Sequence, residues 1–215
     1  MAEPAHTSYR ACLAEAFRCS RRLSEPLGKV AEDVIDSPEF DAIVRECSAG
    51  SFEGARRIAE LAVVHLDRVP IATPKGSELD AAETLAWWRD LLNYERGWFL
   101  QLATTSEAPP SNRPRRGVSA VCMSFSWAVP ELMEKIQTRQ EITKASRRPT
   151  TVLFARGSSG QVAAAMIGAT VEKVFRATNG LRTMEQIAQT AGLDVSETAE
   201  VLEALAHIGA VVLAM

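Results

Sequence analysis

Glu95 sits in a setting that raises a chemical question. It lies within DAAETLAWWRDLLNYERGWFLQLA, where at about 100° per residue Trp87, Leu91, Tyr94 and Trp98 form one apolar stripe of a helix. Leu85, Trp88, Leu92 and Phe99 form a second, and the two merge into an arc about half the helix wide that contains Glu95. The polar face carries Arg89, Asp90, Asn93 and Arg96. A carboxylate inside an apolar arc is costly unless it is paired or hydrogen-bonded. No second group at usable spacing joins it as a general acid or base, so Glu95 is read as structural. His6, His65 and His207 stand apart from one another and from any carboxylate cluster. Cys12, Cys19, Cys47 and Cys122 show neither CxxC nor Cys/His spacing, which argues for reduced thiols in a cytoplasmic protein rather than zinc or a disulfide framework. GxGxxG, P-loop, GxSxG and HExxH signatures are missing. The expected catalytic and metal-ligand sets are empty, and the chain is expected to hold no cofactor.

The elements that carry these residues fall into two groups, which predicts an α+β protein. Apolar residues recur at helical spacing over 7–23 and again over 27–35 and 38–47. Ser51 is a plausible N-cap for a helix bearing Ile58, Leu61, Ala62, His65 and Leu66, and the Pro/Gly loop 70–76 ends it. A longer helix covers about 77–103, starting near Ser77 or Asp80, so residues 1–106 read as a helical bundle. Residues 107–117, with APPSNRPRRG at their centre, read as a linker. Beyond it, 118–215 reads as one domain. A strand is expected over 118–125, a helix over 129–140, and a hairpin from 150–155 and 161–167 about the turn GSSG. Helices at 171–177, 183–190 and 196–208 end near Asn179-Gly180, Gly192 and Gly209, and 210–214 reads as a final strand. This order is winged-helix-like.

The net charge of −3 is unevenly spread, because residues 107–156 hold nine bases against four acids. Such a basic stretch suits phosphates, an acidic peptide or an acidic protein surface. No apolar run approaches the roughly 20 residues that span a bilayer, and the N-terminus has no signal-peptide h-region, so no membrane partner is expected.

The turn GLDVSETAEVLEAL resembles a helix-turn-helix, which raises a DNA-binding transcription regulator as the alternative function. A major-groove reader needs Arg, Lys, Asn or Gln on its exposed face. Here the polar residues are Ser196, Glu197, Thr198, Glu200, Glu203 and His207, and three glutamates repel a polyanion, so no nucleic-acid partner is expected. The same architecture admits strand addition, in which an extended peptide continues a sheet at its edge. The candidate peptide-binding residues are Gln161, Val162, Ala163, Ala164, Ala165 and Met166 on the strand, with Thr198, Val201, Leu202 and Leu205 on the helix. The aromatic arc of Trp87, Leu91, Tyr94 and Trp98 is the candidate partner interface.

The segment PTTVLFARGSSGQVAAAMIGATVEKVFRATNGLRTMEQIA, followed by VSETAEVLEALAHIGAVVL, resembles the peptide-recognition elements of ribosomal natural-product pathways, including the PqqD-like proteins. The likeness lies in an apolar hairpin, a helix ending in Gly, a Thr-initiated helix, and a helix ending in Gly before the last strand. LLNYERGWF is similar to the helical half of partner proteins that accompany multinuclear non-heme iron oxidases, and the whole layout resembles the partners in 3-thiaglutamate-type biosynthesis. That resemblance implies a non-catalytic subunit that binds a carrier peptide and presents its C-terminal cysteine to an iron-dependent oxidase. Iron would belong to the oxidase, and the peptide would lie along 161–167 and 196–205.

Overall fold

The computed structural model describes residues 3–17, 25–66, 68, 81–105, 111–138, 140 and 147–213. The protein is mixed α+β, and it divides into two compact units. Unit 1 combines residues 1–105 with 124–150, and unit 2 combines 106–123 with 151–215.

Unit 1 is helical: α1 (Glu3–Ala16), α2 (Glu25–Ile35), α3 (Pro38–Glu46), α4 (Phe52–Leu66), α5 (Ala81–Ala103) and α6 (Val129–Thr138). In α1, Tyr9, Leu13 and Ala16 recur every three or four residues and are buried, as one face of a helix requires, and Phe17 just beyond its end is buried too. The start of α3 is fixed by Ser37, whose hydroxyl accepts from the Phe40 N–H at 3.2 Å, with Pro38 in the first turn where a missing N–H costs nothing. Ser51 acts the same way ahead of α4, accepting from Gly54 N at 3.2 Å. Helix α5 packs against α1, α4 and α6. That central position explains apolar residues on so much of its circumference. The expected starts of α5 at Ser77 or Asp80, the loop 70–76 and the end of the first predicted helix lie outside the described residues.

Unit 2 contains β1 (Arg115–Arg116), the start of β2 (Val121–Phe125), most of β3 (Thr150–Arg156), β4 (Val162–Met166), α7 (Ala169–Ala177), α8 (Met184–Ala191), α9 (Val195–His207) and β5 (Val211–Val212). One sheet has the order β2-β3-β4; a second pairs β1 with β5 antiparallel, Arg115 opposite Val212 and Arg116 opposite Val211. Leu153 and Ala155 of β3 pack with Val174, Phe175, Ile187, Leu202, Leu205 and Val211 to form the core. The starts of α8 and α9 are locally specified. Thr183 and Gln186 form a reciprocal capping box on α8, and Asp194 with Glu197 forms another on α9. Gly209 closes α9 with φ of 79°, and a Cβ there would lie 2.2 Å from the Arg156 carbonyl oxygen, so the crossing of this turn over the end of β3 demands glycine.

Two parts of the expected layout differ. Residues 107–117 are not linker throughout, because Arg115–Arg116 is a strand; 106–110 lie outside the described residues. The segment 124–150, expected to belong with the C-terminal domain, is part of unit 1. Its attachment is made by Asp90 of α5, whose Oδ2 accepts from Ser126 N at 2.7 Å and Trp127 N at 2.9 Å, and by Tyr94 and Phe125, whose rings lie 6.1 Å apart.

Candidate functional site

Strand β4 pairs on one side with β3, Val152 opposite Met166, Phe154 opposite Ala164 and Arg156 opposite Val162. It is the last strand in its sheet, with no further neighbour among the described residues. At one end Ile167 N donates to Thr151 O at 2.9 Å, and at the other Gly157 N donates to Gln161 O at 2.9 Å. Backbone direction alternates along a strand, so residues 161, 163, 165 and 167 turn their N–H and C=O groups toward β3. Val162, Ala164 and Met166 therefore turn theirs to the open edge. Directly opposite residues share a sheet face, so Ala163 and Ala165 lie on the side of Leu153 and Ala155, which is the side of the helical core. Their methyl groups add little bulk there. Met166, 54% exposed, projects from the other face.

Nothing charged guards this edge. From Gln161 to Ile167 there is no Lys, Arg, Asp, Glu or Pro, the residues that ordinarily keep a free edge from pairing. Gln161 is exposed, and Val162, Ala163, Ala164 and Ala165 are half-buried.

The four candidate residues on α9 divide. Thr198, Leu202 and Leu205 are buried, Leu202 and Leu205 in the core and Thr198 through a 2.7 Å hydrogen bond from its hydroxyl to the Asp194 carbonyl. Their side chains are consumed by packing. Val201 alone keeps partial exposure, beside exposed Glu200, Glu203, Ala204 and His207. Glu197 is exposed as well, but its carboxylate accepts from Asp194 N at 3.1 Å as part of the cap.

On α5, Trp87, Leu91 and Tyr94 are buried within unit 1 at 2%, 1% and 7% exposure, and only Trp98 remains partly open. Any direct partner contact from this arc narrows to Trp98. Glu95 is fully buried and is not without a partner.

Other chemistry-bearing groups do not converge. Burial pushes the Cys122 thiol up to about 11, with Glu172 adding to the rise and Arg176 opposing it, so it is protonated at neutral pH and a poor nucleophile. Cys12 and Cys47 are also thiols, and Cys19 lies outside the described residues. Among the described residues no group of three or more His, Cys, Asp or Glu side chains is placed to hold a metal ion. No helix among them is long and apolar enough to cross a membrane. An open depression lined by Ser124, Phe125, Ser126, Arg147 and Pro149 offers one cation, Arg147, which already lies 3.6 Å from Glu83.

Sequence reasoning missed two features. Asp90 was assigned only to a polar face, and nothing local signals that it reaches N–H groups 36 and 37 residues away. The strand Arg115–Arg116 is too short to show a period of two. The chain matches no family model and no curated protein.

Proposed function

We propose that this chain is a non-catalytic recognition subunit that binds a precursor or carrier peptide by strand addition and presents the peptide's C-terminal cysteine region to an iron-dependent oxidase. The observation that carries this reading is the open, uncharged edge of β4, with the backbone groups of Val162, Ala164 and Met166 directed away from β3. An incoming extended chain satisfies those groups and gains affinity from main-chain hydrogen bonds, while neighbouring side chains select its sequence. Unit 2 is read as a winged-helix-like peptide-recognition domain, from the order of hairpin, three helices and short strand. Unit 1 is read as a helical bundle that meets the oxidase, with Trp98 as the open member of its aromatic arc. Iron belongs to the oxidase, and the setting is cytoplasmic, as the thiols suggest.

The alternative reading is a DNA-binding regulator, favoured by the tight turn at Gly192 between α8 and α9. The exposed face of α9 carries Glu197, Glu200 and Glu203, which opposes it.

The test is a fluorescence titration of a labelled peptide encoded beside this gene, with duplex DNA as the competing ligand. Ala164→Pro deletes an outward N–H without removing a β3 hydrogen bond. It should weaken peptide binding by about tenfold or more, as expected for losing a backbone bond and crowding the edge. Peptide affinity unchanged in a folded A164P variant sinks strand addition at β4. Specific DNA binding that falls steeply with salt favours the regulator.

A further inference from the structure

The open edge of β4 is complementary to itself. Val162, Ala164 and Met166 each direct an N–H and a C=O away from β3, and no further strand among the described residues meets them. In an antiparallel pairing, outward residues must stand opposite outward residues. For two identical strands related by a two-fold axis, only the register centred on Ala164 engages all three residues in both copies. Ala164 then faces Ala164, and Val162 of each copy faces Met166 of the other. Every such pair exchanges two hydrogen bonds, so none of these edge groups is left open. The pairs in between set Ala163 against Ala165 at the closer spacing, Cα atoms about 4.5 Å apart, where methyl groups fit.

The charge pattern has the same centre. Identical strands that meet about a two-fold axis bring like charges together near that axis. Residues 157–171, GSSGQVAAAMIGATV, contain no Lys, Arg, Asp or Glu, in a chain that is 24% charged, and the midpoint of this stretch is Ala164. The register places the hairpin turn of one copy beside the start of α7 of the other, so the stretch removes charge from everything the axis brings close. The residues that bound it differ in sign, Arg156 on the turn side and Glu172 on the α7 side. Glu172 already accepts from Arg176 at 2.8 Å, so the gain is freedom from like-charge repulsion rather than a new ion pair. We propose that, in the absence of peptide, β4 pairs antiparallel with β4 of a second copy about Ala164, so that two copies mask each other's edge until a peptide displaces one. Only the displacement rests on the peptide reading. The strand has five residues, far below the roughly 20–30 per side of a standard stable interface, so the dimer is weak and readily exchanged.

Sedimentation velocity of the full chain, without peptide and across the micromolar range, should show monomer passing to dimer as concentration rises. Ala164→Lys and Ala164→Glu each set two like charges directly opposite, and each should weaken the dimer by about fivefold or more. An equal mixture of the two variants should recover it, because lysine then faces glutamate. Amide exchange on the unaltered chain gives an answer that needs no variant to fold. The N–H groups of Val162, Ala164 and Met166 exchange fast in dilute solution and should slow as concentration rises, while those of Ala163 and Ala165 stay slow throughout. A monomer at every concentration overturns the pairing. So does a dimer equally strong in both single variants, a mixture no stronger than either variant alone, or exchange at 162, 164 and 166 that ignores concentration. The peptide titration is run on nanomolar chain, too dilute for this dimer, so either reading can fail while the other stands.

Discussion

Asp90 shows how one side chain can hold a distant segment. A single oxygen accepts from Ser126 N and Trp127 N, tying residues that precede α6 to the middle of α5. Burial raises the Asp90 carboxyl above its ordinary range, and the two N–H donors only partly oppose this. The folded state thus holds the proton more tightly than the unfolded chain does. Its contribution to stability is complete below the unfolded pKa and is lost as pH rises through the higher folded one. Asp90→Asn keeps an acceptor oxygen for both N–H groups and removes the titration. The asparagine variant should therefore gain on the wild type as pH rises from the acid side of the carboxylate range to neutrality. Asp90→Ala, which orphans both donors, should lose about 1–3 kcal/mol at any pH. Thermal melts across that range decide it, and a stability gap between wild type and D90N that is flat in pH, or of opposite sign, refutes the assignment.

At the scale of elements, β4 allows an equally direct check. If the parity set by Ile167 and Gln161 holds, the amides of Ala163, Ala165 and Ile167 are protected in the β3 ladder. Those of Val162, Ala164 and Met166 face the edge. Amide hydrogen exchange on the peptide-free chain should alternate along the strand, slow at 163, 165 and 167 and fast at 162, 164 and 166. Uniform protection would mean that something already covers the edge. The strand itself was legible, since an apolar run bounded by a Gly-Ser turn marks a hairpin. So was the helix start at Ser51, because a cap is local chemistry and its residue lies within a few positions of what it bonds. The direction of each backbone group was not legible, since it depends on register with β3. The same limit applies to α9. Thr198, Leu202 and Leu205 share one helix face, and that face is buried, with Leu202 and Leu205 in the core. Periodicity identifies an apolar face without saying whether protein or ligand covers it.

Over the whole molecule, the linker composition of 107–117 suggested one cut, but the chain leaves unit 1 after Thr105, re-enters it at Ser124 and leaves again after Thr150. Arg147-Arg148-Pro149 breaks the chain just before the last crossing, but no composition signal marks the one at Ser124, because membership in a unit is decided by what packs against what. Phe125, Trp127, Ala128, Val129 and Leu132 are buried, while Asp90 and Tyr94, which hold this segment, lie on α5. Residues 118–215 produced alone would therefore carry those apolar side chains without their cover, and would also lose β1, the partner of β5. Trp127 is the only tryptophan in that fragment, so its emission reports on this segment alone. Stripped of α5, it should emit at longer wavelength than a buried indole, and the fragment should melt without a sharp transition, since exposed core surface forfeits about 1.5–3 kcal/mol per large side chain. Blue-shifted emission with a cooperative melt would show instead that 118–215 folds on its own, and that the attachment through Asp90 is dispensable.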